Sequence, residues 1–181
     1  HLCIAVPGAS LVHPDRYALD LLNTVLGDGM SSRLFLELRE RESLVYDVHT
    51  TTSHLADCGT FITYAGVDPK NARQATECIL RELSRVKEEV PEWELNKAKE
   101  FVKGRLVLRL EDSRSVASWL GAQELLQGEV LLPEEVLARV DAVTPDDLER
   151  VAKDLLITEK LSLAVVGPHR SEKAFRERLQ L

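Results

Sequence analysis

The sequence has few cysteines, and their positions exclude two common frameworks of small domains. Cys3, Cys58 and Cys78 are the only three, and they lie far apart in the chain. An odd and scattered set does not form a disulfide framework, and no CxxC pair is present that would indicate a zinc site. Because free cysteine is usually buried, we expect all three to be core thiols.

The sequence also lacks long apolar runs and a recognisable leader. No stretch reaches the roughly 18 consecutive apolar residues of a membrane-spanning helix, and no secretory signal pattern is visible. The chain opens with HLCIAVP, which is typical of a strand already under way, and Met30 is its only methionine. We therefore expect a piece of a longer product or a processed chain, with no membrane contact. A soluble protein is predicted, and the cytoplasm is the favoured compartment.

The chain has fewer positively than negatively charged side chains. The 23 Lys and Arg residues are outnumbered by 30 Asp and Glu residues, which gives a formal net charge of −7. A phosphate backbone is bound by clustered Lys and Arg, so nucleic acid is not an expected partner, whereas peptides and proteins remain possible. The 181 residues suffice for one core, and no internal repeat or linker divides them. We expect residues 1–181 to form a single domain.

Several catalytic and binding motifs are missing. The stretch GDGMSS at residues 27–32 follows a predicted helix rather than a strand and lacks both the third glycine of a dinucleotide loop and the Gly-Lys of a P-loop. A helix end with a tight turn explains it better than a phosphate cradle. The five histidines form no HxxEH, HxxxH or HxH, and no GxSxG elbow is present. His49 and His54 should point to opposite faces of a strand. We expect no metal bound by this chain.

The order of predicted elements indicates the fold class. Strands are predicted at His1–Val6, Leu44–Ser53, Cys58–Val67 and Leu161–Val166, the middle two as an antiparallel hairpin. Helices are predicted at Pro14–Leu26, with Gly27 as its C′ glycine, from the caps Ser31 and Ser32 to about Arg41, from Asp68-Pro69, after Pro91, at Arg114–Leu126, at Pro133–Val140, from Thr144 and at Ser171–Leu179. A block of helices between strands favours an α+β fold, with a largely antiparallel sheet and helices packed on one face.

Two residues after the GDGMSS turn are candidates for function, although each also has a structural explanation. Arg39 lies near the end of its predicted helix, where a cation interacts well with the helix dipole and its stem can cover apolar surface. Tyr46 should share a strand face with Leu44 and Val48, which is typical of a half-buried core tyrosine. The pattern alone leaves both explanations open.

The stretch LLNTVLGDGMSSRLFLELRERESLVYDV resembles the start of the C-terminal, inactive-type domain of the M16 zinc metallopeptidases, the family of pitrilysin and the mitochondrial processing peptidases. The resemblance extends over nearly the whole chain, through PDRYALDLLN, YAGVDPKNA and the closing LAVVGP. Its most specific part is GMSSRLF followed by an Arg and, seven positions later, a Tyr. Arg39 and Tyr46 fit that spacing, and Arg41 does not.

The resemblance implies that two halves of the enzyme contribute different parts of the catalytic site. One half carries HxxEH and holds Zn²⁺, which polarises the peptide carbonyl and activates water. The opposite half closes the chamber and contributes Arg39 and Tyr46. Arg39 would orient the substrate or neutralise the developing charge, and the Tyr46 hydroxyl would donate a hydrogen bond to the oxyanion. The chain alone is then inactive and needs an HxxEH-bearing half, in the same polypeptide or a partner subunit, and an unfolded peptide substrate. The alternative is a non-catalytic scaffold subunit, as in the core proteins of the respiratory bc1 complex.

The sequence departs from the family at one position next to this pair. The family usually has Gly where this chain has Ser43. A glycine there indicates a backbone with positive φ, which Ser adopts only at some cost. The turn before Tyr46 is therefore expected to be strained or to differ.

Overall fold

The computed structural model describes all residues from 1 to 181, which form a four-stranded sheet covered by helices. The strands are β1 (Leu2–Pro7), β2 (Val45–His54), β3 (Gly59–Val67) and β4 (Ser162–Val165). Their spatial order is β2-β3-β1-β4, and every neighbouring pair is antiparallel. The predicted α+β class with a largely antiparallel sheet is confirmed, as is the β2–β3 hairpin.

The chain has seven α-helices and three further helical segments of other types. The α-helices are α1 (Arg16–Gly27), α2 (Ala72–Arg85), α3 (Glu92–Arg109), α4 (Ser113–Gln127), α5 (Pro133–Ala142), α6 (Pro145–Leu155) and α7 (Lys173–Arg176). A π-helix spans Phe35–Arg41, and 3₁₀ turns span Pro69–Asn71 and Thr158–Lys160. None of the helices combines the length and apolar character that crossing a bilayer requires.

The core lies between one face of the sheet and the helices. In β1, buried Leu2, Ile4 and Val6 alternate with half-exposed Cys3 and Ala5, so only one face of the strand is fully covered. Nine of the twelve residues of α1 are buried, which makes α1 the central helix of this layer. The helices thus pack on one face, as the strand alternation predicts.

The helix that follows the GDGMSS turn differs from the predicted one. The sequence predicts an ordinary α-helix capped by Ser31 or Ser32, but the segment is wound as a π-helix from Phe35 onward. The Ser32 hydroxyl donates to the carbonyl of Gly29 at 2.7 Å instead of accepting from a helix N–H. The terminal helix is also shorter than predicted, since α7 spans only Lys173–Arg176.

Glycine is needed at position 27 for a reason other than the predicted C′ role. It is the last residue of α1 and does not have positive φ. A Cβ at Gly27 would lie 2.5 Å from the backbone nitrogen of Thr50, and the Thr50 hydroxyl donates to the carbonyl of Asn23 at 2.9 Å. Gly27 therefore allows α1 to approach the backbone of β2 closely, which holds the end of α1 against the strand that carries Tyr46.

Candidate functional site

The π-helix ends in a backbone conformation that suits glycine and is occupied by serine. The N–H of Glu42 donates to the carbonyl of Glu37 at 3.0 Å, five residues back, and the N–H of Leu44 donates to Leu38 at 2.8 Å. Between them, Ser43 has φ of +51° and is the only non-glycine residue with positive φ. The expectation of a left-handed backbone at this position is confirmed. The turn leads the chain directly from the helix of Arg39 into the strand of Tyr46.

A β-bulge at the start of β2 points Tyr46 into solvent. Val45 pairs with Val67 and Asp47 pairs with Gly66, so Tyr46 is an extra residue between two adjacent positions of β3. Because the alternation shifts at the bulge, Val45 is buried while the Tyr46 side chain is 85% exposed. The structural alternative of a half-buried core tyrosine is therefore wrong. No hydrogen bond within the chain engages its hydroxyl.

Arg39 and Tyr46 meet on this surface. The guanidinium carbon of exposed Arg39 lies 5.8 Å from the centre of the Tyr46 ring and 5.1 Å from the centre of the Phe35 ring. Both distances are within the range of cation–π attraction. Arg39 has no ion pair and no hydrogen bond in the chain, so its positive charge is not neutralised by a neighbouring carboxylate.

Arg41, two residues further along the π-helix, is in the opposite situation. Its Nη1 lies 2.9 Å from Oε2 of Glu37, and Arg81 Nη2 lies 3.3 Å from the other oxygen of the same carboxylate. Glu37 is therefore occupied by two arginines on its two oxygens. This pairing leaves Arg39 as the arginine of the π-helix that is available to a bound molecule.

The GDGMSS turn and Arg33, which follows it, are tied to α3 by three interactions. The buried carboxylate of Glu94 accepts from the Arg33 guanidinium, with Nε 3.0 Å from Oε1 and Nη2 2.5 Å from Oε2. Lys97 Nζ donates to the carbonyl of Ser31 at 2.8 Å, and Arg105 donates to Asp28 at 2.6 Å. These contacts support the interpretation of the stretch as a structural turn that launches the helix of Arg39.

The residues that could ligate a metal do not fit a zinc site. No group of three or more His, Cys, Asp or Glu side chains converges anywhere in the chain. His49 stacks on Tyr64 with ring centres 5.0 Å apart, whereas His54 reaches Asp20 of α1, so the two histidines lie on opposite faces of the sheet. A catalytic zinc ion needs three converging protein ligands, and these histidines are too far separated to contribute two of them.

The surroundings of His54 favour its charged form. Its Nε2 lies 3.0 Å from Oδ1 of Asp20 and its Nδ1 lies 2.7 Å from the carbonyl oxygen of Ala9. Both neighbours are hydrogen-bond acceptors, which a protonated imidazole satisfies by donating from both ring nitrogens. The hydrogen bond to Asp20 raises the pKa of His54 above its usual value, against the opposing effect of burial. His54 lies on the edge strand β2, and its side chain is largely buried.

The cysteines differ in exposure, contrary to the prediction of three core thiols. Cys78 is buried, and burial raises the pKa of its thiol to about 11. Cys3 is half-buried because it lies on the less covered face of β1. Cys58 is exposed in the β2–β3 loop.

Sequence reasoning missed the part that Phe35 takes in the site. The sequence pattern gives Phe35 no role, but the centre of its ring lies 5.1 Å from the guanidinium carbon of Arg39. The signal that could have found it is the spacing of four residues between Phe35 and Arg39, which brings side chains together on one helix face.

Known proteins are similar to this chain in both sequence and fold. The family model of the peptidase M16 inactive domain matches residues 1–102. An uncharacterized zinc protease of Streptomyces coelicolor is 40% identical over 177 residues, which is 97% of this chain and 38% of that protein. One of Bacillus subtilis is 36% identical over 169 residues, which is 93% of this chain and 41% of that protein. The chain thus spans about two fifths of the length of these relatives.

Two solved structures resemble the fold. A protease from Helicobacter pylori has a TM-score of 0.80 at 28% identity, covering 90% of this chain and 39% of its own. A peptidase M16 inactive domain from Pseudomonas fluorescens has a TM-score of 0.81 at 21% identity, covering 90% of this chain and 39% of its own, and shows the shared fold. Together with the family match over more than half of its length, these similarities show that the chain belongs to the M16 peptidase family, whose inactive-type domain it carries.

Proposed function

We propose that residues 1–181 form the C-terminal, non-zinc-binding half of an M16 zinc metallopeptidase. In this proposal the chain faces an HxxEH-bearing half across a closed chamber and contributes Arg39 and Tyr46 to the cleavage of unfolded peptides. The observation that carries the proposal is that two exposed residues lie side by side, with the Arg39 guanidinium carbon 5.8 Å from the centre of the Tyr46 ring.

The roles follow from the chemistry of peptide hydrolysis. Negative charge grows on the carbonyl oxygen as the tetrahedral intermediate forms, and hydrogen-bond donors aimed at that oxygen stabilise it. The Tyr46 hydroxyl is such a donor, and the bulge presents it to solvent. The Arg39 guanidinium supplies a positive charge beside it, which orients the substrate or neutralises the developing charge. Zn²⁺ belongs to the opposite half.

Pairing with another half is supported by apolar surface on the helical arm formed by α3 and α4. The buried residues of α3 all lie in its first two turns, and Gln123 is the only buried residue of α4. The arm and the segment after it leave large apolar side chains exposed, namely Val107, Leu108, Leu125, Leu126, Val130 and Leu132. A surface rich in large exposed apolar side chains is typical of an interaction site. Because the zinc protease relatives are about two and a half times as long as this chain, we assign the zinc-bearing half as the occupant.

The pairing is testable by replacing one of these residues. Leu125→Asp on α4 is expected to weaken binding to the zinc-bearing half in a titration followed by calorimetry. Leu55→Asp, at an exposed leucine of the β2–β3 loop, is the matched control and should bind as the parent does. Equal binding of both variants would mean that the arm does not contact that half.

The catalytic proposal is tested by cleavage of a quenched, unstructured peptide pool in zinc buffer. The chain alone is expected to be inactive, and its mixture with the HxxEH-bearing half from the same locus is expected to cleave. Absence of cleavage by a folded complex would contradict the proposal and favour a scaffold subunit. Cleavage by this chain alone would contradict the assignment of the zinc site to the opposite half.

A further inference from the structure

We propose that Phe35 is a positioning residue, which holds the guanidinium of Arg39 where the peptide would meet it. This inference rests on the function proposed above and adds a residue that the Arg–Tyr spacing does not include. The ring centre of Phe35 lies 5.1 Å from the guanidinium carbon of Arg39, closer than the 5.8 Å of Tyr46. Of the two rings near Arg39, Phe35 makes the nearer contact.

Phe35 is also the better anchored of the two rings. It is partly buried and packs against the hydrophobic core, and both Leu34, which precedes it, and Leu38 of the same helix are fully buried. Tyr46, by contrast, is largely exposed on its bulge. A ring fixed by the core can restrict a flexible side chain, whereas an exposed ring moves with it.

Arg39 needs such an anchor because no other group restricts it. A guanidinium is usually held by a carboxylate, but the Glu37 carboxylate is engaged by Arg41 and Arg81. Attraction to the face of an aromatic ring orients a guanidinium without neutralising its charge. Arg39 therefore stays both positioned and positively charged, which a carboxylate partner would prevent.

The proposal distinguishes the aromatic face of Phe35 from its bulk. Phe35→Leu keeps an apolar side chain against the core but removes the aromatic face, and Phe35→Tyr keeps that face. In the complex with the zinc-bearing half, Phe35→Leu is expected to lower kcat about two- to fivefold, the size of an exposed cation–π contact, with little change in KM. Phe35→Tyr should retain most of kcat.

A matched control exists elsewhere on the chain. The guanidinium carbon of Arg16 lies 4.6 Å from the ring centre of Tyr17, which gives a similar arginine–aromatic contact on α1, and Tyr17 is, like Phe35, partly buried against the core. Tyr17→Leu should leave kcat unchanged. A comparable loss in Tyr17→Leu would mean that loss of any such contact disturbs the fold, and the positioning role of Phe35 would be wrong.

The decisive comparison is a double-mutant cycle with Arg39→Gln. If Phe35 acts through Arg39, Phe35→Leu has no further effect on kcat in the Arg39→Gln background, because coupled residues are not additive. The same fractional loss in both backgrounds would overturn the inference while leaving the role of Arg39 intact. An unchanged kcat in Arg39→Gln itself would overturn the proposed function, and this inference with it.

Discussion

Arg33 and Glu94 form a largely buried, two-pronged ion pair that joins the turn before the π-helix to α3. Nε of Arg33 lies 3.0 Å from Oε1 of Glu94, and Nη2 lies 2.5 Å from Oε2. A further bond runs from Nη2 of Arg33 to the carbonyl of Glu89 at 2.9 Å. The side chains are 16% and 8% exposed, so solvent screens this pair only weakly. The pair fixes the segment that carries Phe35 and Arg39.

Removing one partner of this pair should destabilise the chain strongly. Glu94→Gln leaves the Arg33 guanidinium without its countercharge at a poorly hydrated position. We expect the free energy of unfolding to fall by about 3 kcal/mol, measured by urea denaturation. Glu149→Gln is the matched control, because its pair with Lys153 is more exposed and should contribute well under 1 kcal/mol. Equal unfolding midpoints for the two variants would contradict this account.

Glycine at position 43 should stabilise the chain. Ser43 has φ of +51°, a conformation that costs an L-residue about 1–2 kcal/mol and that glycine adopts freely. After the larger chain entropy of unfolded glycine is subtracted, Ser43→Gly should raise the free energy of unfolding by roughly 0.5–1 kcal/mol. Ser53→Gly, within β2, should lower it by a similar amount, and urea midpoints that move in the same direction would refute the prediction.

The stability of the chain should depend on the protonation of His54. Asp20 raises the pKa of His54 in the folded state above its unfolded value of about 6.5. The resulting stabilisation is therefore fully present below that unfolded pKa and is lost as the pH rises through the raised folded pKa. We expect the urea midpoint to be higher at mildly acidic pH than at mildly alkaline pH.

The residue that causes this pH dependence can be removed. In Asp20→Asn, His54 loses the carboxylate that stabilises its charge, so the part of the pH dependence due to His54 should disappear. An NMR titration of the His54 ring should show a lower pKa in this variant than in the parent. Identical titration curves would mean that Asp20 does not hold the imidazolium.

The sequence predicts most of the fold because local signals agree with it. The β-branched and aromatic residues at positions 44–53 and 58–67 indicate the hairpin that the structure contains. At the predicted helix start Thr144, this residue and Asp147 form a reciprocal cap, and at the predicted start Asp68 the side chain accepts from the N–H of Lys70. Such signals depend on a few neighbouring residues, which the sequence displays directly.

The remaining features depend on contacts between distant segments. The packing of Gly27 against Thr50 cannot be distinguished in the sequence from a helix-ending glycine. The bulge at Tyr46 depends on its register against β3, and period-two alternation therefore places Tyr46 on the wrong face. The motif spacing identifies Arg39 and Tyr46 as a pair, but only the structure reveals their exposure and the ring of Phe35 beside them.

The most direct test of the central proposal is the kcat of Tyr46→Phe in the complex with the zinc-bearing half. This substitution removes one hydroxyl from an exposed ring, so folding should be unaffected. If the hydroxyl donates to the oxyanion, kcat should fall about 100- to 1,000-fold. Tyr64→Phe is the control, since the Tyr64 hydroxyl is bonded to His1 at 2.8 Å, and it should keep the parental kcat. An unchanged kcat in Tyr46→Phe would contradict the proposed role of this residue.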